Sequence, residues 1–259
     1  MRMMKKVLGT VTVLALSASL LAGCGSTAAS PVSSAASTAA ESTTSSVVSE
    51  TTSAAADENV AAAAQLLNDL TGSYQELWPV ILADEYQQTW LDDCTALVGE
   101  ENAEAAFEKL SSMVTGDVYG EDAVEAYANG GGAYFCGFTN DLATLTFDGE
   151  TSTISGTDKD GNVLFSHTYH YIGMEPVRGL YEFQSDDADS GEFTYFFLAP
   201  DTSAETYHIE FRYGSDAEAL SQYDTGEYAY WLASGISTDC DQTMIDNCIE
   251  LFCTENLAG

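Results

Sequence analysis

The chain holds three histidines, His167, His170 and His208. His208 lies in TSAETYHIEFRYGSD (202–216), which alternates as a β-strand does. Tyr207, Ile209 and Phe211 fall on one side, and Thr206, His208 and Glu210 on the other. An imidazole and a carboxylate on one strand face, two residues apart, are placed to share a metal ion. His167 and His170 sit in SHTYHY, one odd and one even. A regular strand turns them to opposite faces, so at most one joins a site with His208 unless a bulge intervenes. Taken singly, a strand histidine is more often a hydrogen-bonded wall residue than a ligand. Tyr169, Tyr171, Tyr207 and Tyr213 alternate with the histidines and are expected to fill or cover a sheet face.

Catalytic motifs are missing from the sequence. There is no HExxH, GxSxG, P-loop or glycine-rich dinucleotide turn, and the chain is expected not to be an enzyme. Carboxylates are so dense that a chance pair is expected, and nothing singles one out. Beyond Cys24 there are five thiols: Cys94, Cys136, Cys240, Cys248 and Cys253. An odd number cannot pair completely within the chain, and none has CxxC spacing. They read as small buried apolar residues, and a disulfide between the carboxy-terminal segment and the body stays open.

Residues 1–23 read as a signal. Arg2, Lys5 and Lys6 give a positive start, Val7 to Leu20 is apolar, and Leu21-Ala22-Gly23-Cys24 has the lipobox form. Cleavage before Cys24 and its acylation are expected. That would anchor the chain by lipid to the outer face of a bacterial cell membrane. An ordinary secretory signal also exports it. Residues 24–56 follow as the lipidated cysteine and a linker. Of the 32 residues from Gly25 to Ala56, 25 are Ser, Thr or Ala, a composition that cannot offset chain entropy. Residues 57–259 are long enough for one domain with a sizeable core. Without the signal, four basic residues (Lys109, Lys159, Arg178, Arg212) face 41 acids, a formal charge of −37. Such a charge repels nucleic acid and anionic headgroups, so neither is an expected partner and the membrane is met only through the anchor. It gathers cations without selecting among them, and most of these acids serve as a solubilising surface.

Helix signals come first in the domain. Asp57 can cap a helix through Leu67, Ser73-Tyr74-Gln75-Glu76 has the capping-box form, and a helix fits Glu101 to Met113. After Gly130-Gly131-Gly132 the period becomes two. Strands are predicted at Tyr134–Thr139, Ala143–Phe147, Ser152–Gly156, Asn162–Ile172, Gly179–Gln184, Glu192–Leu198 and Thr206–Tyr213, with a tight turn at Asp158–Gly161. Such a meander commonly closes into a barrel. Helices near Ala217–Leu220 and from about Thr238 to Cys253 end the chain. The fold class expected is α+β, an antiparallel β-barrel with accessory helices at both ends of the domain.

Three blocks carry a family resemblance. LNDLTGSYQELWPVIL (67–82), GNVLFSHTYHYIG (161–173) with VRGLYEFQ (177–184), and FFLAPDTSAETYHIEFRYGSD (196–216) with YDTGEYAYWLAS resemble, in family order, the ZinT (YodA) family. The resemblance implies a lipocalin-like, calycin-type barrel. It also implies an extracytoplasmic zinc-binding protein that captures or buffers metal, often feeding an ABC zinc importer. Three family histidines bind the metal, an HxH pair on the closing strand and one on the strand before. His208 matches the second of the pair, while Thr206 stands at the first and Phe197 at the third.

With one of three ligands kept, the donor set expected here is His208, His170 and Glu210. Glu205 or Asp201 is able to add a carboxylate, and His167 is a further candidate. A carboxylate-rich site would hold zinc more weakly and tolerate Mn or Ca. The alternative is a calycin-like small-molecule carrier or surface interaction module that has lost its metal.

Overall fold

The computed structural model describes residues 47–199 and 208–258, with side chains from Glu58 onward. The signal, Cys24, most of the linker, and Asp201, Glu205 and Thr206 lie outside the described residues. Eight strands form the body: β1 (Gly72–Glu76), β2 (Thr144–Asp148), β3 (Thr153–Thr157), β4 (Val163–Met174), β5 (Tyr181–Ser185), β6 (Tyr195–Leu198), β7 (His208–Gly214) and β8 (Ala233–Ser237). Each pairs antiparallel with the next, and β8 returns to β1, so the sheet closes as a barrel. Closure leaves no edge strand to aggregate. The helices are α1 (Val47–Asp69), α2 (Leu77–Ile81), α3 (Gln87–Val98), α4 (Glu100–Val114), α5 (Glu121–Ala128), α6 (Ala217–Leu220) and α7 (Gln242–Leu257). The architecture is α+β, an antiparallel β-barrel with accessory helices, as the sequence led us to expect. Among the described residues no helix is long and apolar enough to cross a membrane.

Rings fill the bore. Phe147, Phe183, Phe196, Phe211 and Tyr213 are at most 1% exposed and belong to one core with Leu145, Ile154, Phe165, Tyr169 and Ile209. Packing is tight enough that a Cβ on Gly156 of β3 would stand 2.4 Å from the Phe165 ring. A second core lies outside the barrel, where α2 packs on β8 and α3, α4 and α7 pack together beyond it. Trp90, Leu110, Cys94, Ile249 and Cys253 are fully buried there, and Phe252 packs edge-on against Trp78 at 4.8 Å and Trp90 at 6.0 Å. α7 is capped by Asp241, whose carboxylate accepts the Met244 N–H at 3.0 Å.

Several elements differ from the sequence reading. The first helix starts at Val47, not Asp57, so residues 47–56, assigned to the linker, are helical. The alanine-rich run has no breaker to stop the helix earlier. Ser73–Glu76 is strand β1, not a helix start: Ser73 Oγ meets Thr146 Oγ1 at 2.8 Å across the sheet instead of capping. The predicted strand Tyr134–Thr139 makes only isolated bridges through Phe135. Residues 134–136 bond through their backbone to Met113, Gly116, Tyr230, Leu232 and Ser234, and residues 137–139 are held by side chains. Glu76 Oε1 accepts the Phe138 N–H at 2.6 Å, the Tyr213 hydroxyl accepts the Thr139 N–H at 2.6 Å, and Trp231 Nε1 donates to the Gly137 carbonyl at 2.9 Å. β8 went unpredicted because Ala233, Ser234 and Gly235 are small, and burial on both faces erases any alternation.

The α3–α7 seam concentrates carboxylates. Burial pushes the Asp93 carboxyl above its ordinary value of 3.8, with Glu250, Asp246 and Asp92 adding repulsion. A carboxyl raised in the folded state holds a proton that the unfolded chain has lost. Its contribution to stability is therefore full below 3.8 and is lost as pH rises through the folded value. The melting temperature is expected to be higher at pH 5 than at pH 7.5, and Asp93→Asn to shrink that difference in a series of buffered thermal melts. An unchanged slope in the variant would refute the assignment.

Candidate functional site: the outer face of strand β7

Parity on β7 decides what each residue meets. Ile209, Phe211 and Tyr213 enter the bore, so His208, Glu210 and Arg212 face outward. His208 pairs in register with Ile236 and Glu210 with Ser234, both on β8. Arg212 pairs with Phe197 on β6, which pairs with Glu182 on β5. The outer face here therefore carries His208, Glu210 and Arg212 along one strand and Glu182, Phe197 and Arg212 across three. Both His208 and Glu210 are half-buried. The thiols of Cys136, in segment 134–137, and of Cys248, on α7, lie near Glu210: each is pushed up to about 12, by burial first and by the Glu210 carboxylate second, and stays protonated at neutral pH.

Arg212 is fully buried. Its guanidinium donates to the carbonyls of Leu220, Gln222 and Tyr228, and lies 4.4 Å from the Tyr223 ring centroid and 6.0 Å from that of Trp231. Burial pulls it down to about 10, still charged at neutral pH. Arg178 stacks on the same tyrosine at 4.3 Å and donates to the Tyr134 hydroxyl at 3.1 Å. Two of the four basic residues past the signal thus bracket Tyr223. Nearby, Glu175 is 1% exposed and accepts the N–H groups of Val177 and Arg178 at 2.7 and 2.6 Å. Burial, then Glu175, raises the Glu182 carboxyl. Arg212 ties residues 220–228 to the barrel, a role the sequence reading missed. The signal available was the scarcity of basic residues.

The expected donor set does not assemble as a whole. His208 and Glu210 share a face, as the alternation predicted. His170 also faces outward, but on β4, with β5 and β6 between it and β7. At about 4.8 Å per strand, that places it roughly 14 Å around the barrel. Its Nδ1 lies 2.6 Å from Asp186 Oδ1 instead. His167 turns to the inner side beside Phe165, with ring centroids 6.0 Å apart and Nδ1 2.7 Å from Asp187 Oδ2. The opposite facing of His167 and His170 holds, and consecutive aspartates of the β5–β6 loop take one imidazole each. Phe197, where the third family histidine falls, is fully buried and offers no lone pair. Among the described residues, no group of three or more His, Cys, Asp or Glu side chains is arranged to hold a metal. The joint set of His208, His170 and Glu210 is therefore corrected to the pair His208 and Glu210, because strand order around the barrel separates His170 from them.

A separate cleft of about 350 Å³ opens outside the barrel, lined by Glu76, Trp78, Leu82, Phe135, Cys136 and Gly137 among others.

No family model and no curated protein matches the chain. Among solved structures it is similar to the Zn(II)-bound ZinT-like domain of AdcA from Streptococcus pneumoniae. The identity is 16% and the TM-score 0.45, over 71% of this chain and 89% of that one. It is also similar to Zn(II)-bound AdcA from the same organism, at 14% identity and a TM-score of 0.42. That match spans 72% of this chain and 35% of AdcA.

Replacing Arg212 by Met leaves three buried carbonyls without their donor and empties a stacked position. A loss of about 3 kcal/mol or more is expected in denaturant unfolding, and Arg212→Lys is expected to recover only part of it. Full recovery by Lys would mean that charge alone matters there.

Proposed function

We propose that this chain is an exported, lipid-anchored protein that captures a divalent cation, zinc in the first instance, and buffers or hands it on for uptake. The role is binding without turnover. The observation that carries this reading is the placement of His208 and Glu210, two residues apart on the outer face of β7. An imidazole nitrogen and a carboxylate oxygen are ordinary zinc donors. Asp201 and Glu205, which precede His208 in sequence, are the acids closest along the chain to complete the coordination. A surplus of acids over the four basic residues enriches any cation at the surface. With two donors in place of three histidines, affinity is expected to be modest and selectivity for zinc over Mn or Ca low. An ABC-type importer is the class of partner that would accept such a cargo.

The carrier reading has its own observation. The bore is packed with rings and offers a ligand no room, but the cleft beside Glu76, Trp78 and Phe135 is large enough for a small molecule.

Calorimetric titration of residues 47–259, which keep α1 whole, with Zn²⁺ at neutral pH separates the two. Binding near or below roughly 10 μM, lost on His208→Ala and weakened as pH falls through about 6.5, is the expected result. Equal affinity in parent and variant would remove His208 from the site. No binding in either would favour the carrier. Affinity held down to pH 5 would mark a site made of carboxylates alone.

A further inference from the structure

Two thiols meet where α3 and α7 pack. Cys94 and Cys253 are both fully buried, and their sulfurs stand 3.9 Å apart across a sequence separation of 159 residues. We propose that this pair is an oxidation site, forming an intramolecular disulfide that locks the carboxy-terminal helix onto the body of the domain. A disulfide needs its sulfurs at about 2.05 Å, so they must close by roughly 1.9 Å. Rotation about the two Cα–Cβ bonds and a small settling of α7 can supply that. The surrounding contacts already hold the helices in place: Phe252, next to Cys253, packs on Trp78 and Trp90 from the α2–α3 side.

The other thiols have different surroundings. Cys136 lies within segment 134–137, its sulfur 3.9 Å from the Tyr134 carbonyl. Cys240 precedes α7 and is half-buried, and Cys248 lies near the Glu210 carboxylate. A Cys94–Cys253 bond would leave these three free, which accounts for the odd number of thiols.

In the reaction each thiol gives up its proton, one Sγ–Sγ bond forms, and two electrons pass to the disulfide of a small-molecule or protein oxidant, which leaves as two thiols. The exchange runs through a mixed disulfide, so one sulfur must be reached by the oxidant. Burial closes both to it in the folded chain, and burial with Asp93 alongside disfavours the thiolate. The bond is therefore made during folding, or when α7 lifts off, and is protected once the helix docks. An exported chain meets such oxidants as it folds. This much rests on the location proposed above, while the geometry of the pair does not.

The test uses the full chain, unfolded in the reduced state and refolded in oxidised and reduced glutathione. Free thiols are then alkylated under denaturing conditions and the peptides mapped by mass spectrometry. Before alkylation the expected product is about 2 Da lighter than the reduced chain, and after it Cys94 and Cys253 are linked while Cys136, Cys240 and Cys248 are alkylated. Its melting temperature should exceed that of the reduced form by roughly 5 °C or more, a difference abolished by reductant. Cys94→Ala and Cys253→Ala should each abolish the gain, and Cys240→Ala should keep it. Alkylation of all five thiols beyond Cys24 after refolding, or a link between any other pair, would overturn the proposal. So would a Cys94–Cys253 link that leaves the melting temperature unchanged. Zinc binding plays no part in any of these readouts, so failure here leaves the cation reading intact, and the reverse holds.

Discussion

Closure of the eight strands around a bore full of aromatic rings is the constraint from which the rest follows. Phe147, Phe183, Phe196, Phe211 and Tyr213 must point inward together, since a slip of one residue on any strand would expose its rings to water. Once Ile209, Phe211 and Tyr213 are committed to the bore, His208, Glu210 and Arg212 have no alternative to the outer face. The same parity sends His170 outward and His167 inward on β4, and the strand order then separates His170 from His208. The candidate site is thus a by-product of the core.

Charge shapes what that outer face can hold. Arg212 is the cation on the same strand, yet its two terminal nitrogens are spent on the carbonyls of Leu220, Gln222 and Tyr228 and its flat face on Tyr223. It fixes the segment that closes over the barrel and leaves Glu210 in surroundings where burial raises the nearby thiols of Cys136 and Cys248. Those thiols keep their protons at neutral pH, so the charge at that place is the carboxylate's. Asp93 on the α3–α7 seam reflects the same acid excess, here as strain between packed helices.

Much of the fold was legible. Period-two alternation located β2 to β7 to within a few residues, and the Asp158–Gly161 turn joins β3 to β4 as read. The misreadings have local causes. Ser73 and Glu76 are spaced as a capping box, and only the need of β2 and β8 for a partner turns that stretch into β1. β8 has a single branched residue, Ile236, among small ones, too little to mark a strand. Gln87–Val98 became a helix without a sequence signal that we recognised, because its burial of Trp90 and Cys94 depends on α7, more than 140 residues away. For the site, the sharing of a face by His208 and Glu210 was readable from spacing. The distance of His170 was not, since it depends on how many strands intervene, and neither was the Arg212 clamp, whose acceptors are backbone carbonyls.

In the proposed function a divalent cation meets His208 on the outer face of β7 and neither of the other imidazoles. Three histidines give three side-chain signals in a long-range ¹H–¹⁵N spectrum, which can be followed as Zn²⁺ is added. The His208 ring nitrogens are expected to shift or broaden in a saturable way while those of His167 and His170 keep their positions. Joint movement of His170 and His208 at one stoichiometric ion, or an unmoved His208 at saturating zinc, would contradict it.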